Sequence, residues 1–215
     1  VFCLRSVEPV NGDVTPGTVK VLSVSTEKKK IRSPKLYNLV NLQMDAARLY
    51  GMTPLRTYEA AIRLFERKLI SYPIAASNTV TKRRYEECRR VLTKMLGYKN
   101  FASVAFAQQD IAPGHCVGKS AYGTQGIVAT PVPPLVIDND MERVYSLIVK
   151  RMYQAFCKDA VTLNSSIEAE CDGIRYHWNG VAYKSKGWHS LFPDTVLRTE
   201  AVPSFTIGEE LTPVG

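Results

Sequence analysis

The sequence has no apolar run approaching the roughly 20 residues that a membrane-spanning helix needs. It also has no leader of the secretory kind, because VFCLRSVEP lacks an apolar core followed by a small-residue cleavage site. An initiator Met is missing as well, so an internal piece of a longer protein is expected. Cysteine is sparse and scattered: Cys3, Cys88, Cys116, Cys157 and Cys171 are odd in number and form no C-x-x-C pair. That argues against a zinc site or a disulfide framework and for a reducing cytoplasm. The three histidines, His115, His177 and His189, stand at no metal-ligand spacing with Cys, Asp or Glu.

What is present is an ordinary soluble composition with a basic bias. The 215 residues are 45% hydrophobic and 22% charged, with a net charge of +8, and the pI is about 9.3. A chain of this length buries a core without staples. The bias favours an anionic partner, nucleic acid first and a membrane surface second.

The pattern along the chain reads β, α, β. Residues 1–26 carry β-branched residues around Asn11-Gly12 and Pro16-Gly17, which predicts two strands with a turn between them. Glu27 to Arg32 reads as a charged connector closed by Ser33-Pro34, with Lys28–Lys30 as a solvated linker. A first helix follows through KLYNLVNLQMDAARLY, with Leu36, Leu39, Val40, Leu42, Met44, Ala47 and Tyr50 expected on one buried face, and Gly51 is placed to stop it. Thr53 and Pro54 start a second, whose apolar face is expected to be Leu55, Tyr58, Ile62 and Phe65. A third runs from about Lys82 to Leu96 with a stripe of Tyr85, Cys88, Val91 or Leu92, and Met95. Residues 108–134 read as a long loop. A fourth helix, with Val144, Leu147, Ile148, Met152 and Phe156 inward, starts at a cap among Asp138–Asp140. From Ala160 the period becomes two, with turn signals at Asp172-Gly173 and Asn179-Gly180. The expected fold class is α+β: a helical domain, 36–159, inserted between β segments 1–35 and 160–215.

The stretch LISYPIAASNTVTKRR sets a tyrosine, Tyr72, between a short extended run and a proline turn, just ahead of a helix opening with Lys82, Arg83 and Arg84. A phenol can attack a phosphodiester covalently, but its ordinary pKa near 10 means that it needs cations close by. The alternative is a structural tyrosine, one of 11 in the chain. Asp138 and Asp140 form a D-x-D that suits either a divalent metal or a helix cap, with the cap favoured.

From Leu36 to Ser77 the chain resembles the type IA DNA topoisomerases, especially the topoisomerase III branch. The matching features are Leu42-Gln43, Tyr50-Gly51, Thr57, Leu64-Phe65-Glu66 and Lys68-Leu69-Ile70-Ser71-Tyr72-Pro73, with a second echo in GIVATP at 126–131. The resemblance implies that Tyr72 cuts one DNA strand through a 5′-phosphotyrosine link, and that a helical gate carrying it lies between two segments of a β strap. It further implies binding of single-stranded DNA, to which Ser77, Lys82, Arg83, Arg84, Arg89 and Arg90 are expected to contribute. Mg²⁺ is expected on a Toprim domain outside this chain, with no metal held by these residues, no membrane partner, and a cytoplasmic, nucleoid-associated location. Isolated from that domain, the chain is expected to be inactive. The family motif continues with Arg and Asp where this chain has Ile74 and Ala76, and it carries a histidine where Thr124-Gln125 stand. Those departures leave a second reading, a non-catalytic single-stranded DNA-binding relative.

Overall fold

The computed structural model describes residues 5–6, 17–95, 112–118, 125–132, 136–191 and 205–211. The chain forms two compact units. One comprises Val1–Ile31, Ala160–Lys186 and Leu197–Gly215; the other comprises Arg32–Asp159 and Gly187–Val196.

The first unit is an antiparallel sheet of β1 (Arg5–Ser6), β2 (Val19–Ile31), β3 (Ala160–Cys171), β4 (Ile174–Ser185) and β5 (Glu210–Leu211), in the order β1-β4-β3-β2-β5. Strands β2 and β3 pair from Lys20↔Glu170 to Ile31↔Ala160, although the chain between them holds the four α-helices of the described residues. Lys20, Glu170 and Arg175 line up across three strands as alternating charges, which favours this register. The β3–β4 turn is Asp172-Gly173, and both residues have positive φ, as the sequence suggests. Val21, Ile167 and Trp178 form one small apolar cluster, and Val19, Ala169 and Cys171 another.

Two expectations fail in this unit. Glu27–Ile31 is not a connector but the second half of β2. Lys28–Lys30 pair with Val161–Leu163 and stand exposed. Charge on a strand with limited pairing on its other side blocks unwanted edge-to-edge association, so a lysine run is compatible with a strand. Asn179-Gly180 is not a turn either; it lies inside β4 opposite Ser166 and Ser165. The glycine is there for space: a Cβ on Gly180 would come within 2.0 Å of the Trp178 ring, which folds over it.

The second unit is helical: α1 (Leu39–Tyr50), α2 (Pro54–Glu66), α3 (Lys82–Met95) and α4 (Asn139–Ala155), followed by a 3-10 helix at Gly187–Leu191. The capping signals hold. Asn38 caps α1 through Asn41 N, and Gly51 ends it in the left-handed region at φ +63°. Thr53 caps α2 ahead of Pro54, and Asp138 caps α4 through Met141 N at 2.9 Å. Helix α4 is the centre of the core, with Val144, Leu147, Ile148, Met152 and Phe156 buried.

The faces of α1 and α2 differ from the apolar spacing: in α1, Val40 and Met44 turn outward while Leu42 and Ala46 are buried. In α2, Leu55 is 65% exposed and Phe65 39%, while Thr57, Ala60, Ala61 and Leu64 are buried. Small side chains let the α2 backbone approach α1 and α4, against which it packs, and the larger ones turn outward. The α3 stripe of Tyr85, Cys88, Val91 and Leu92 is buried as expected; the side chain of Met95 lies outside the described residues. The described part of 108–134 holds no helix or named strand, as the loop reading expects, yet part of that loop is buried. Ile127, Val128 and Ala129 are buried, with Ile127 bridging Tyr37 and Ala129 bridging Ile70. Residues 160–215 are not all β-rich either. Gly187–Leu191 joins the helical unit, where Trp188 packs on the core and donates its backbone N–H to Lys158 O.

A polar network ties α1 to α4. Asp45 accepts from Tyr37 Oη at 2.6 Å, Arg151 Nη2 at 2.6 Å and Arg48 Nη2 at 3.1 Å, and Arg151 lies 4.2 Å over the Tyr37 ring. Burial pushes the Asp45 carboxyl up, but the hydrogen bonds from Tyr37 and Arg48 and the charge of Arg151 outweigh it, leaving the group below its ordinary value of 3.8. Folded Asp45 therefore binds its proton less readily than the unfolded chain does. Its contribution to stability is complete above about pH 4 and drains away as the pH falls further. The expected result is a thermal midpoint that drops below pH 4, with a shallower drop in Asp45→Asn. An identical acid limb in that variant would remove the network from the account.

Candidate active site

Tyr72 is held on a short rigid frame. Helix α2 ends with Lys68 in the left-handed region at φ +61°. Lys68 N donates to Phe65 O and Leu69 N to Leu64 O, with Leu69 buried, which is the paired-bond helix ending known as the Schellman motif. The chain then bonds to the buried 127–130 segment. Ser71 N donates to Val128 O at 2.8 Å, Val128 N donates to Ser71 Oγ at 3.0 Å, and Thr130 N donates to Leu69 O at 2.9 Å. Thr130 Oγ1 also donates to Lys68 O. Apolar Ile70 and half-buried Ser71 thus anchor the strand, and the next residue, Tyr72, is left 46% exposed. Its ring meets Phe65 edge-on, with centroids 5.4 Å apart.

Tyr72 opens onto a cleft of about 460 Å³ lined by Ser71, Tyr72, Thr81, Arg83, Arg84, Glu87, Gln125 and Gly126. Thr81 starts α3 by accepting from Arg84 N at 3.3 Å. The first turn of α3 holds Lys82, Arg83 and Arg84 and no acid. Cations at a helix N-terminus oppose the helix dipole and cost about 0.3–1 kcal/mol each at the surface. Pairs with Glu87 one turn on offset part of that cost for Arg83 and Arg84, and an anion at the same end would be favoured both by the dipole and by the side chains. Glu87 pairs with Arg84 at 2.8 Å and Arg83 at 3.6 Å. One carboxylate faces two guanidinium groups, so the cleft keeps an excess of positive charge. The hydrogen bond from Arg84, together with the neighbouring arginine charges, holds the Glu87 carboxyl below its ordinary range.

The residues singled out from the sequence divide three ways. Tyr72, Arg83 and Arg84 share the cleft, and Arg90 lines an adjoining one. Arg89 pairs with Glu86 at 3.2 Å, and Lys82 is exposed at the start of α3. Ser77 is engaged with Thr79, sharing a hydroxyl contact at 2.9 Å and accepting from Thr79 N at 3.2 Å. Residue spacing alone does not reveal Gln125, which enters the cleft from a distant part of the chain and accepts from Thr81 N at 3.4 Å. Its signal is the resemblance, in which Thr124-Gln125 stand where the family carries a histidine, just ahead of GIVATP. Asp138 and Asp140 are taken up by Arg63 at 2.5 Å and by a two-point contact from Arg56 at 2.5 and 2.8 Å. Among the described residues no group of three His, Cys, Asp or Glu is placed to hold a metal ion, and no helix is long and apolar enough to cross a membrane.

A family model described as DNA topoisomerase matches residues 4–215. DNA topoisomerase 1 of Alkalihalophilus pseudofirmus is 24% identical over 194 residues, covering 88% of this chain and 27% of its own. DNA topoisomerase 3 of Staphylococcus aureus is 29% identical over 168 residues, covering 69% and 22%. Full-length topoisomerase I from Thermotoga maritima has the same fold, with a TM-score of 0.70 at 17% identity, over 98% of this chain and 36% of that one. The chain spans about a quarter of the length of the curated relatives it matches. With four α-helices and an antiparallel sheet of the topoisomerase I kind among the described residues, and a family match running from residue 4 to the last, the chain belongs to the type IA DNA topoisomerase family.

Proposed function

We propose that this chain is the gate portion of a DNA topoisomerase, in which Tyr72 breaks and rejoins one DNA strand. The observation that carries the reading is a half-exposed phenol sharing one cleft with Arg83 and Arg84. A strand lying there would set a phosphodiester against the phenol. The Tyr72 oxygen gives up its phenolic proton and attacks phosphorus, the P–O3′ bond breaks, and the departing 3′-oxygen takes up a proton, so the strand is left with a free 3′-hydroxyl and a 5′-phosphate on the tyrosine. Resealing is the same exchange in reverse. The energy of the diester is kept in the phosphotyrosine, which is the purpose of a covalent intermediate. Arg83 and Arg84 supply charge for the phenolate and the phosphate oxygens. Gln125 spends its side-chain oxygen on Thr81 N, leaving its amide N–H groups as donors for an oxyanion.

The helical unit that carries Tyr72 stands in sequence between β2 and β3, which pair with each other. That topology supports the reading of a helical gate set into a β strap. The cleft does not suit Mg²⁺, because its one carboxylate, Glu87, already serves two arginines. Mg²⁺ would be held outside this cleft, on the acidic Toprim domain that the resemblance implies. A second reading, a non-catalytic binder of single-stranded DNA, draws on Ile74: it is 43% exposed two residues after Tyr72, where the resemblance implies an arginine.

Binding of a fluorescent single-stranded oligonucleotide tests what both readings share. Neutralising two phosphate contacts in Arg83→Gln/Arg84→Gln should lower the log–log salt slope by about 1.4 and weaken binding about tenfold at moderate salt. An unchanged slope would move the DNA away from this cleft.

A further inference from the structure

Beside the Tyr72 cleft lies a second one of about 350 Å³, within the size range of ligand sites. The two share Arg84 and Glu87, so they run on from one another along α3. The second differs in chemistry. Val91 and Ala129, both nearly buried, give it an apolar floor, and Pro131 stands at its exposed margin. Arg90 and Lys94 line it four residues apart, hence on one face of the helix.

The charges are arranged unevenly. On α3, Glu87 is committed to Arg83 and Arg84, and Glu86 to Arg89. Arg90 gives its Nε–H to the Glu86 backbone oxygen at 3.4 Å, and neither Arg90 nor Lys94 takes part in the ion pairs formed among the described residues. An apolar floor lined by Arg84, Arg90 and Lys94 against the single carboxylate of Glu87, whose hydrogen bond goes to Arg84, suits a ligand having both a flat apolar part and an anionic part.

We propose that this second cleft is a nucleotide subsite. It takes the base of the nucleotide adjoining the phosphate at Tyr72 over Val91 and Ala129, and the next phosphate along the strand on Arg90 and Lys94. The assignment rests on the reading that the Tyr72 cleft receives a phosphodiester, and it adds a grip on the same strand that does not depend on the covalent bond. Contact with the faces of bases tolerates any sequence, so the subsite serves strand retention and not base selection.

The test is an NMR titration of the ¹⁵N-labelled 215-residue chain with a 5′-phosphorylated thymidine dinucleotide, and separately with inorganic phosphate. The dinucleotide should shift the amides of Tyr72 and Gln125 together with those of Val91, Lys94 and Ala129, whereas inorganic phosphate should leave Val91 and Ala129 in place. Arg90→Gln/Lys94→Gln should weaken dinucleotide binding about tenfold with an unchanged melting temperature. Shifts confined to Tyr72 and Gln125 would overturn the subsite and leave the reading of the first cleft standing. Equal shifts of Val91 and Ala129 with inorganic phosphate would show an anion patch with no place for a base, and overturn it too. Absence of shifts in both clefts would remove the DNA reading and the subsite together.

Discussion

Tyr72→Phe in the longer protein is expected to lower covalent DNA adduct by roughly ten-thousandfold or more, to the limit of detection, while the melting temperature stays within a degree or two. Loss of a nucleophile has a cost of this order because the remaining groups have nothing to activate. The structural cost is small because Tyr72 is 46% exposed and the substitution retains the ring that meets Phe65. Binding of single-stranded DNA should fall by less than about tenfold, since Arg83 and Arg84 are untouched. Detergent-trapped adduct is the readout. Adduct at wild-type level in the variant would assign attack to another residue; absence of adduct from the wild type as well would favour the non-catalytic binder.

Phe156→Ala is expected to destabilise the helical unit by about 3–5 kcal/mol. Phe156 is fully buried at the end of α4, and its ring meets Tyr85 of α3 edge-on with centroids 5.1 Å apart. The contact fixes the helix that supplies Arg83, Arg84 and Arg90. Emptying the site leaves a cavity that the surrounding helices fill only in part. Phe156→Leu, which retains more volume, should cost about 1–2 kcal/mol. Denaturant unfolding measures both. A loss below about 1 kcal/mol in the alanine variant would mean that α3 is anchored elsewhere.

Much of this architecture is legible from local chemistry. Gly51, Thr53-Pro54 and Asp138 mark helix ends because each satisfies backbone groups through its immediate neighbours, and Asp172-Gly173 marks a hairpin in the same way. The failures occur where a distant partner decides. Thr57, Ala60 and Ala61 face inward because α1 and α4 come close, a constraint on volume that apolar spacing does not encode. Lys28–Lys30 form strand because β3 offers a register, and Gly180 sits within a strand because Trp178 needs its surface. At the candidate site, Tyr72 and the α3 arginines are near in sequence and therefore visible as a pair. Gln125 and the Val91–Ala129 floor arrive through tertiary contacts, so residue spacing alone gives no sign of them.

The most direct measurement is to stop the longer protein during reaction with single-stranded DNA, digest both components, and locate the attached nucleotide by mass spectrometry. A nucleotide joined through its 5′-phosphate to Tyr72 is the predicted result. A nucleotide on any other side chain, or a 3′-phosphate linkage, would contradict it.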